Sequence, residues 1–167
     1  GTALCRYLVP FGLDAVSVSA GTYETMNTAW EPTSYEEGWK VYLAEAVKRV
    51  VNVPVFCVGT IRNPAYAEKV LKENRADAVC IARGNLADPE WCSKAAAGKE
   101  QEIRRCISCL YCMQQLTTHG HEGKPFGCAI NAQAAHEIDY PRLASNGEQR
   151  KIVVVGGGPA GMEAARV

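Results

Sequence analysis

Val53-Pro-Val-Phe-Cys-Val-Gly-Thr-Ile-Arg-Asn-Pro64 decides the fold of this chain. Its first six residues are a nearly continuous apolar run, the pattern of a strand covered on both faces and so of a parallel sheet. The run stops at Gly59, and Asn63-Pro64 then reads as a helix start, with a capping side chain followed by proline at the first helical position. Ala67, Val70 and Leu71 follow on one helical face. The same succession recurs on both sides. Upstream, Asp14-Ala-Val-Ser-Val-Ser19 is a β-rich run closed by Ala20-Gly21. Ser34 stands three residues before Glu37 in a capping-box arrangement, and Trp39, Leu43, Ala46, Val47 and Val50 share a helical face. Downstream, Ala78-Val-Cys-Ile81 repeats the strand and Asp88-Pro89 repeats the cap-plus-proline start. Strands alternating with helices at this spacing predict an α/β fold of βαβ units on a parallel sheet.

The alternation breaks near Gly98. Residues 99–146 carry Cys, His, Gly and Asn without a sustained period, and they need something other than an apolar core to hold them. Lys151-Ile-Val-Val-Val155 restarts the strand pattern and Gly156-Gly-Gly-Pro-Ala-Gly161 follows it. A dinucleotide-binding unit runs to about 30 residues, more than remain before Val167, and three parallel strands do not close a barrel alone. The chain is therefore expected to be an internal fragment of a longer protein. Its 18 Lys+Arg balance 18 Asp+Glu, a net charge of 0 that gives no reason to expect nucleic acid or an anionic membrane as partner. No apolar run approaches the roughly 18–20 residues that span a bilayer, and Gly1–Leu13 lacks the layout of a signal peptide. A reducing, cytoplasmic compartment is the expectation. In it, clustered cysteines point to metal before disulfides.

Cys106-x2-Cys109-x2-Cys112, with Cys128 beyond a loop, carries the strongest chemical signal. Thiolates at every third position wrap one turn of backbone around a single centre, and a fourth completes four-coordination. That set suits a [4Fe–4S] cluster, in which each iron takes one cysteine sulfur. Structural zinc is the competing use, with His119, His121 and His136 nearby as further donors. Cys5, Cys57, Cys80 and Cys92 lie in apolar segments and read as small buried hydrophobes. Gly156-x-Gly158-x-x-Gly161, placed between a Val-rich strand and a helix, reads as a dinucleotide site. Its glycines serve the tight turn, the approach of a pyrophosphate and close helix packing. FAD and NAD are not distinguished by it. Two further loops, Gly59-Thr-Ile-Arg62 and Ala82-Arg83-Gly84, leave apolar strands toward capped helices. Such loops late in a TIM barrel hold phosphate on backbone amides, with Arg83 adding charge; solvated loop arginines are the plainer reading.

Taken in order, Asp14–Glu24, Val53–Gly59, Ala76–Arg83, Leu86–Pro89, Cys106–Cys109 and Val153–Gly161 resemble the multidomain NADH:flavin oxidoreductases, the group of 2,4-dienoyl-CoA reductase, 2-enoate reductase and trimethylamine dehydrogenase. The resemblance implies that residues 1–97 are the last three βα units of an FMN-binding TIM (β/α)8 barrel. Residues 98–146 would be the iron–sulfur segment and linker, and 147–167 the first βα of a Rossmann-type FAD/NAD(P) domain. It implies that Ala82 and Arg83, with Gly59 and Thr60, hold the FMN phosphate, although the family usually has arginine where Thr60 stands. Cys106, Cys109, Cys112 and Cys128 would ligate the cluster, and Gly156, Gly158 and Gly161 would hold the dinucleotide. Electrons would pass from NAD(P)H through FAD and the cluster to FMN, which reduces an activated C=C bond of a small unsaturated substrate. Amine oxidation of the trimethylamine dehydrogenase kind is the second reading, and a zinc-stabilised nucleotide-binding module the third. Tyr23 and Glu24 fall where the family's third strand from the end reaches the active face, and they are the weak catalytic candidates. The Glu24 position is a histidine acid in 2,4-dienoyl-CoA reductase.

Overall fold

A computed structural model describes residues 1–139 and 148–166. Three strands, β1 (Val16–Val18), β2 (Val55–Val58) and β3 (Ala78–Cys80), form a parallel sheet in the order β1-β2-β3. Val16 pairs with Val55, and Phe56 with Ala78. The helices are α1 (Thr2–Leu8), α2 (Met26–Ala29), α3 (Val41–Lys48), α4 (Pro64–Lys72), α5 (Arg83–Ala87), α6 (Trp91–Ala96), α7 (Tyr111–His119) and α8 (Pro159–Arg166). Sequential neighbours in a parallel sheet require a crossover after each strand. Here α3 packs on β1 and β2, and α4 on β3.

One core joins these layers. Val55 and Cys57 point from β2 toward Val41, Ala44 and Val47 of α3 and Val70 of α4, all under 7% exposed. Burial pushes the Cys57 thiol up to about 11, with Cys80 adding to the rise, so it behaves as a small hydrophobe. Cys5 and Cys80 are half-buried, whereas Cys92 is exposed and not part of the core. The α4 start forms as expected: Asn63 Oδ1 accepts the Ala65 amide at 3.2 Å with Pro64 at the first helical position.

The capping box expected at Ser34 and Glu37 does not form. α3 begins at Val41 with no side-chain cap, because Glu37 Oε1 instead accepts the amides of Arg62 (2.6 Å) and Asn63 (2.7 Å) across the sheet. The buried stripe of α3 is also rotated from the expected one. It runs through Lys40, Val41, Ala44 and Val47, and Ala46 faces solvent. The expected strand at Lys151–Val155 has no ladder partner among the described residues. Ile152, Val153 and Val155 are at least 80% exposed, since a strand exists only through its neighbours' hydrogen bonds. The glycine turn and α8 after it do form. The boundary expected between residues 146 and 147, and Val167, lie outside the described residues. No helix among the described residues is long and apolar enough to cross a membrane.

Candidate functional site

The C-terminal ends of β2 and β3 open into a cleft of about 270 Å³ whose walls include Glu31, Lys40, Gly59, Thr60, Ala82 and Arg83. Parallel strands present their loops at this end, which is where α/β sheets build sites. Gly59 holds φ +126° and Thr60, although not glycine, holds φ 51°. A Cβ at Gly59 would run into the Lys40 and Glu31 side chains, so this glycine clears a path for them. Arg83 lies at the first helical position of α5 and reaches back across the cleft. Its guanidinium donates to the Glu31 carbonyl oxygen (2.8 Å), to Glu31 Oε2 (2.8 Å) and to Thr60 Oγ1 (3.4 Å).

Glu31 and Lys40 carry no signal in the sequence that marks them for this site, yet they are 1% and 3% exposed. Lys40 Nζ lies 2.6 Å from Glu31 Oε1 and 3.2 Å from the Thr28 carbonyl, and Trp39 Nε1 donates to Glu31 Oε1 at 3.2 Å. Burial acts to raise the Glu31 carboxyl, but the Lys40 hydrogen bond and charge, with backbone and Thr60 donors, outweigh it and hold the group below its ordinary value. Arg62 lines the same cleft. One of its terminal nitrogens donates to the Tyr35 carbonyl at 3.3 Å, and its Nε is buried with no hydrogen-bond partner among the described residues.

The cysteine segment forms another wall of this cleft, through Cys106, Ser108 and Met113. Two buried polar side chains dock it. Asp88, 1% exposed, accepts the Arg104 amide at 3.0 Å while paired to Lys94 at 2.7 Å. Asn131, 2% exposed, donates to the Leu86 carbonyl at the end of α5 (2.8 Å) and so pins the Cys128–Asn131 turn. Between the first cysteines the backbone enters the left-handed region at Ser108 (φ 53°) and Leu110 (φ 61°), which curls the chain around one point. The Ser108 amide donates to Cys106 Sγ at 3.4 Å.

Cys112, in the first turn of α7, has its thiol raised by burial and then by the adjacent Cys106 and Cys128 sulfurs, with Arg83 acting in the opposite direction. Cys106, Cys112 and Cys128 therefore share one neighbourhood with Arg83, while Cys109, between them in sequence, is exposed. Among the described residues no three Cys, His, Asp or Glu side chains stand close enough to hold one metal ion. A tetrahedral zinc site with Zn–S near 2.3 Å needs sulfurs about 4 Å apart, whereas a cubane spreads its thiolates over separate irons. An all-sulfur donor set of this kind fits either tetrahedral zinc or an iron–sulfur cluster. His136 is turned to Asp139 (Nδ1 to Oδ2, 3.1 Å) and His121 is exposed.

Tyr23 and Glu24 lie in a single 3-10 turn after β1 and do not line the cleft. Tyr23 is 92% exposed, and Thr22 Oγ1 donates to Glu24 Oε2 at 2.6 Å, which lowers that carboxyl. At the glycine motif, Gly156 holds φ +109°, and a Cβ on Gly161 would run into the Gly156 carbonyl oxygen. Gly158 has nothing within 4 Å of where a Cβ would stand.

Residues 13–102 match the profile of the NADH:flavin oxidoreductase / NADH oxidase family. An NADH oxidase of Thermoanaerobacter brockii is 46% identical over 99% of this chain and 25% of its own length. The solved 6-hydroxypseudooxynicotine amine oxidase of Pseudomonas geniculata N1 superposes with TM-score 0.82 at 28% identity, over 98% of this chain and 24% of that one. A solved 2-naphthoyl-CoA reductase superposes with TM-score 0.82 at 27% identity, over 99% and 25%. The chain thus spans about a quarter of the length of the relatives it matches.

Proposed function

The chain belongs to the NADH:flavin oxidoreductase / NADH oxidase family, and on that premise we propose that it is the junction of a flavin- and iron–sulfur-dependent oxidoreductase acting on an activated C=C bond. One observation carries this reading. A single cleft is walled both by the Gly59-Thr60 and Ala82-Arg83 loops and by Cys106 and Ser108 of the cysteine segment. A flavin phosphate on the first wall and a cluster on the second would be held by one short stretch of chain.

The donors fit both groups. Arg83, Thr60 and Lys40 present N–H and O–H groups for an anion, and Cys106, Cys109, Cys112 and Cys128 supply four thiolates. Bound there, FMN supplies hydride chemistry and a [4Fe–4S] cluster supplies one-electron transfer, with FAD and NAD(P)H completing the chain of donors. The protein's own part is positional. Asp88 and Asn131 fix the cysteine segment against α5, and the Ser108 amide stabilises charge on Cys106 sulfur. The flexibility of Gly156 and the close packing at Gly161 form a turn suited to a dinucleotide at the start of α8.

Amine oxidation is the second reading, favoured by the superposition on an amine oxidase. The two are separated by assaying the intact, anaerobically purified protein with enoates and with secondary and tertiary amines. The same preparation is expected to hold FMN and about four irons per chain, with a broad visible band that Cys112→Ser removes. Stoichiometric zinc in place of iron, after reconstitution with iron and sulfide, would overturn the redox reading.

A further inference from the structure

Lys40 is buried at a helix start, and a buried ammonium is costly unless it is paired and hydrogen-bonded. Its side chain crosses directly over Gly59, the position where a Cβ would block it, and its Nζ reaches Glu31 and the Thr28 carbonyl. Glu31 spends one carboxylate oxygen on Lys40 and the other on Arg83, so it spaces two cations on one side of the cleft. Neither cation is exhausted by these bonds. An ammonium has three N–H groups and a guanidinium five; among the described residues Lys40 uses two and Arg83 three. The charged side chains lining the cleft are Glu31, Lys40, Arg62 and Arg83, three cations against one carboxylate. That leaves two positive charges in a confined space, the charge that a phosphate monoester dianion neutralises.

We propose that Lys40 is the second phosphate-binding cation of the cleft, standing in for the side chain that Thr60 is too short and uncharged to supply, with Glu31 as the residue that positions it beside Arg83. The proposal rests on the reading that the Gly59-Thr60 and Ala82-Arg83 loops hold the FMN phosphate.

The test compares FMN with riboflavin, which lacks only the phosphate, by flavin-fluorescence titration of the flavin-stripped intact protein. The ratio of the two dissociation constants isolates the phosphate contribution. Lys40→Met is expected to reduce the wild-type ratio about ten-fold or more, as loss of a charge-assisted hydrogen bond does, and Lys40→Arg to retain it. Lys40→Gln removes the charge while its amide still donates to Glu31, so it gives the same fall if Lys40→Met folds poorly. If Arg83→Met lowers the ratio and both Lys40→Met and Lys40→Gln keep the wild-type value, Lys40 is only the counterion of Glu31 and the proposal fails. The proposal also fails if the charge resides on Arg62, which is the case when Arg62→Met lowers the ratio and Lys40→Met does not. If none of the three cations affects the ratio, the phosphate does not sit in this cleft and the underlying reading falls with it.

Discussion

Glu31 and Asp88 are each 1% exposed, and each carboxylate is held ionised by a lysine and by backbone or side-chain N–H groups. Removing one partner of such a buried pair costs far more than the pair contributes over an apolar replacement, because it leaves an uncompensated charge. Glu31→Gln strands Lys40 and Arg83 against a neutral amide, and a loss of about 3 kcal/mol is expected in urea unfolding. The pH dependence has a definite sign. Both carboxyls have folded-state values below their ordinary 4.5 and 3.8, so the folded state binds fewer protons than the unfolded one. The stability they contribute is complete above those ordinary values and is lost as pH falls through the lowered ones. Glu31→Gln should therefore lie well below wild type at neutral pH and converge toward it in acid; parallel stability curves would refute the assignment. Asp88 is legible only as a helix start, where its Oδ1 accepts the Glu90 amide at 3.0 Å; its pairing with Lys94 is not, and neither is Glu31. Glu31 sits in Trp30-Glu-Pro-Thr-Ser-Tyr-Glu-Glu37, where nothing in spacing separates it from the exposed Glu36. Its ionic partners are Lys40 and Arg83, the latter returning from a position 52 residues later.

At the scale of elements, the glycine turn and α8 make a contrast that two single-methyl changes can read. Gly161→Ala places a Cβ against the Gly156 carbonyl oxygen, so the helix must move off the turn. Gly158→Ala meets nothing within 4 Å and φ there is not in the left-handed region, so the fold should accept it and only an approaching pyrophosphate should be obstructed. Gly161→Ala is expected to lower both dinucleotide content and the temperature of thermal unfolding, and Gly158→Ala to lower dinucleotide content alone, measured by released FAD and calorimetry. Local signals of this kind were readable from sequence. Asn63-Pro64 capped α4 as written, and the three strands fell within their predicted runs, because each depends on neighbours a few residues away. Ser34 and Glu37 misled for the opposite reason. Glu37 had amides at Arg62 and Asn63 to satisfy, and a contact across the sheet outcompeted the local cap. The cysteine spacing led to the expectation of a shared centre. The docking of the cysteine segment by Asp88 and Asn131 is a tertiary arrangement that no period in residues 99–139 encodes.

Over the whole molecule, the described residues bury one side of a small sheet and leave its other surfaces open. Among the described residues β1 and β3 are the edges of the sheet, each with one side unpaired and open to a further strand. Leu4 and Tyr7 of α1, with Phe11 just beyond it, are 60%, 64% and 72% exposed on the N-terminal side. Ile152, Val153 and Val155 add an apolar run without a sheet to enter. Relatives about four times this length match it end to end, so in them the equivalent surfaces have further chain available to cover them. The cleft at the strand ends, lined by Glu31 and Lys40 as well as by Cys106 and Ser108 of the cysteine segment, lies at the rim of the same partly covered sheet. Expressed as these 167 residues alone, the chain is expected to expose enough apolar surface and strand edge to bind a hydrophobic dye and to self-associate in size-exclusion chromatography. A longer protein that holds these residues within a closed barrel should do neither. A monodisperse, dye-negative 167-residue chain would show that the open edges and α1 are satisfied within the chain itself, and would remove the physical reason for proposing that it is part of a larger barrel.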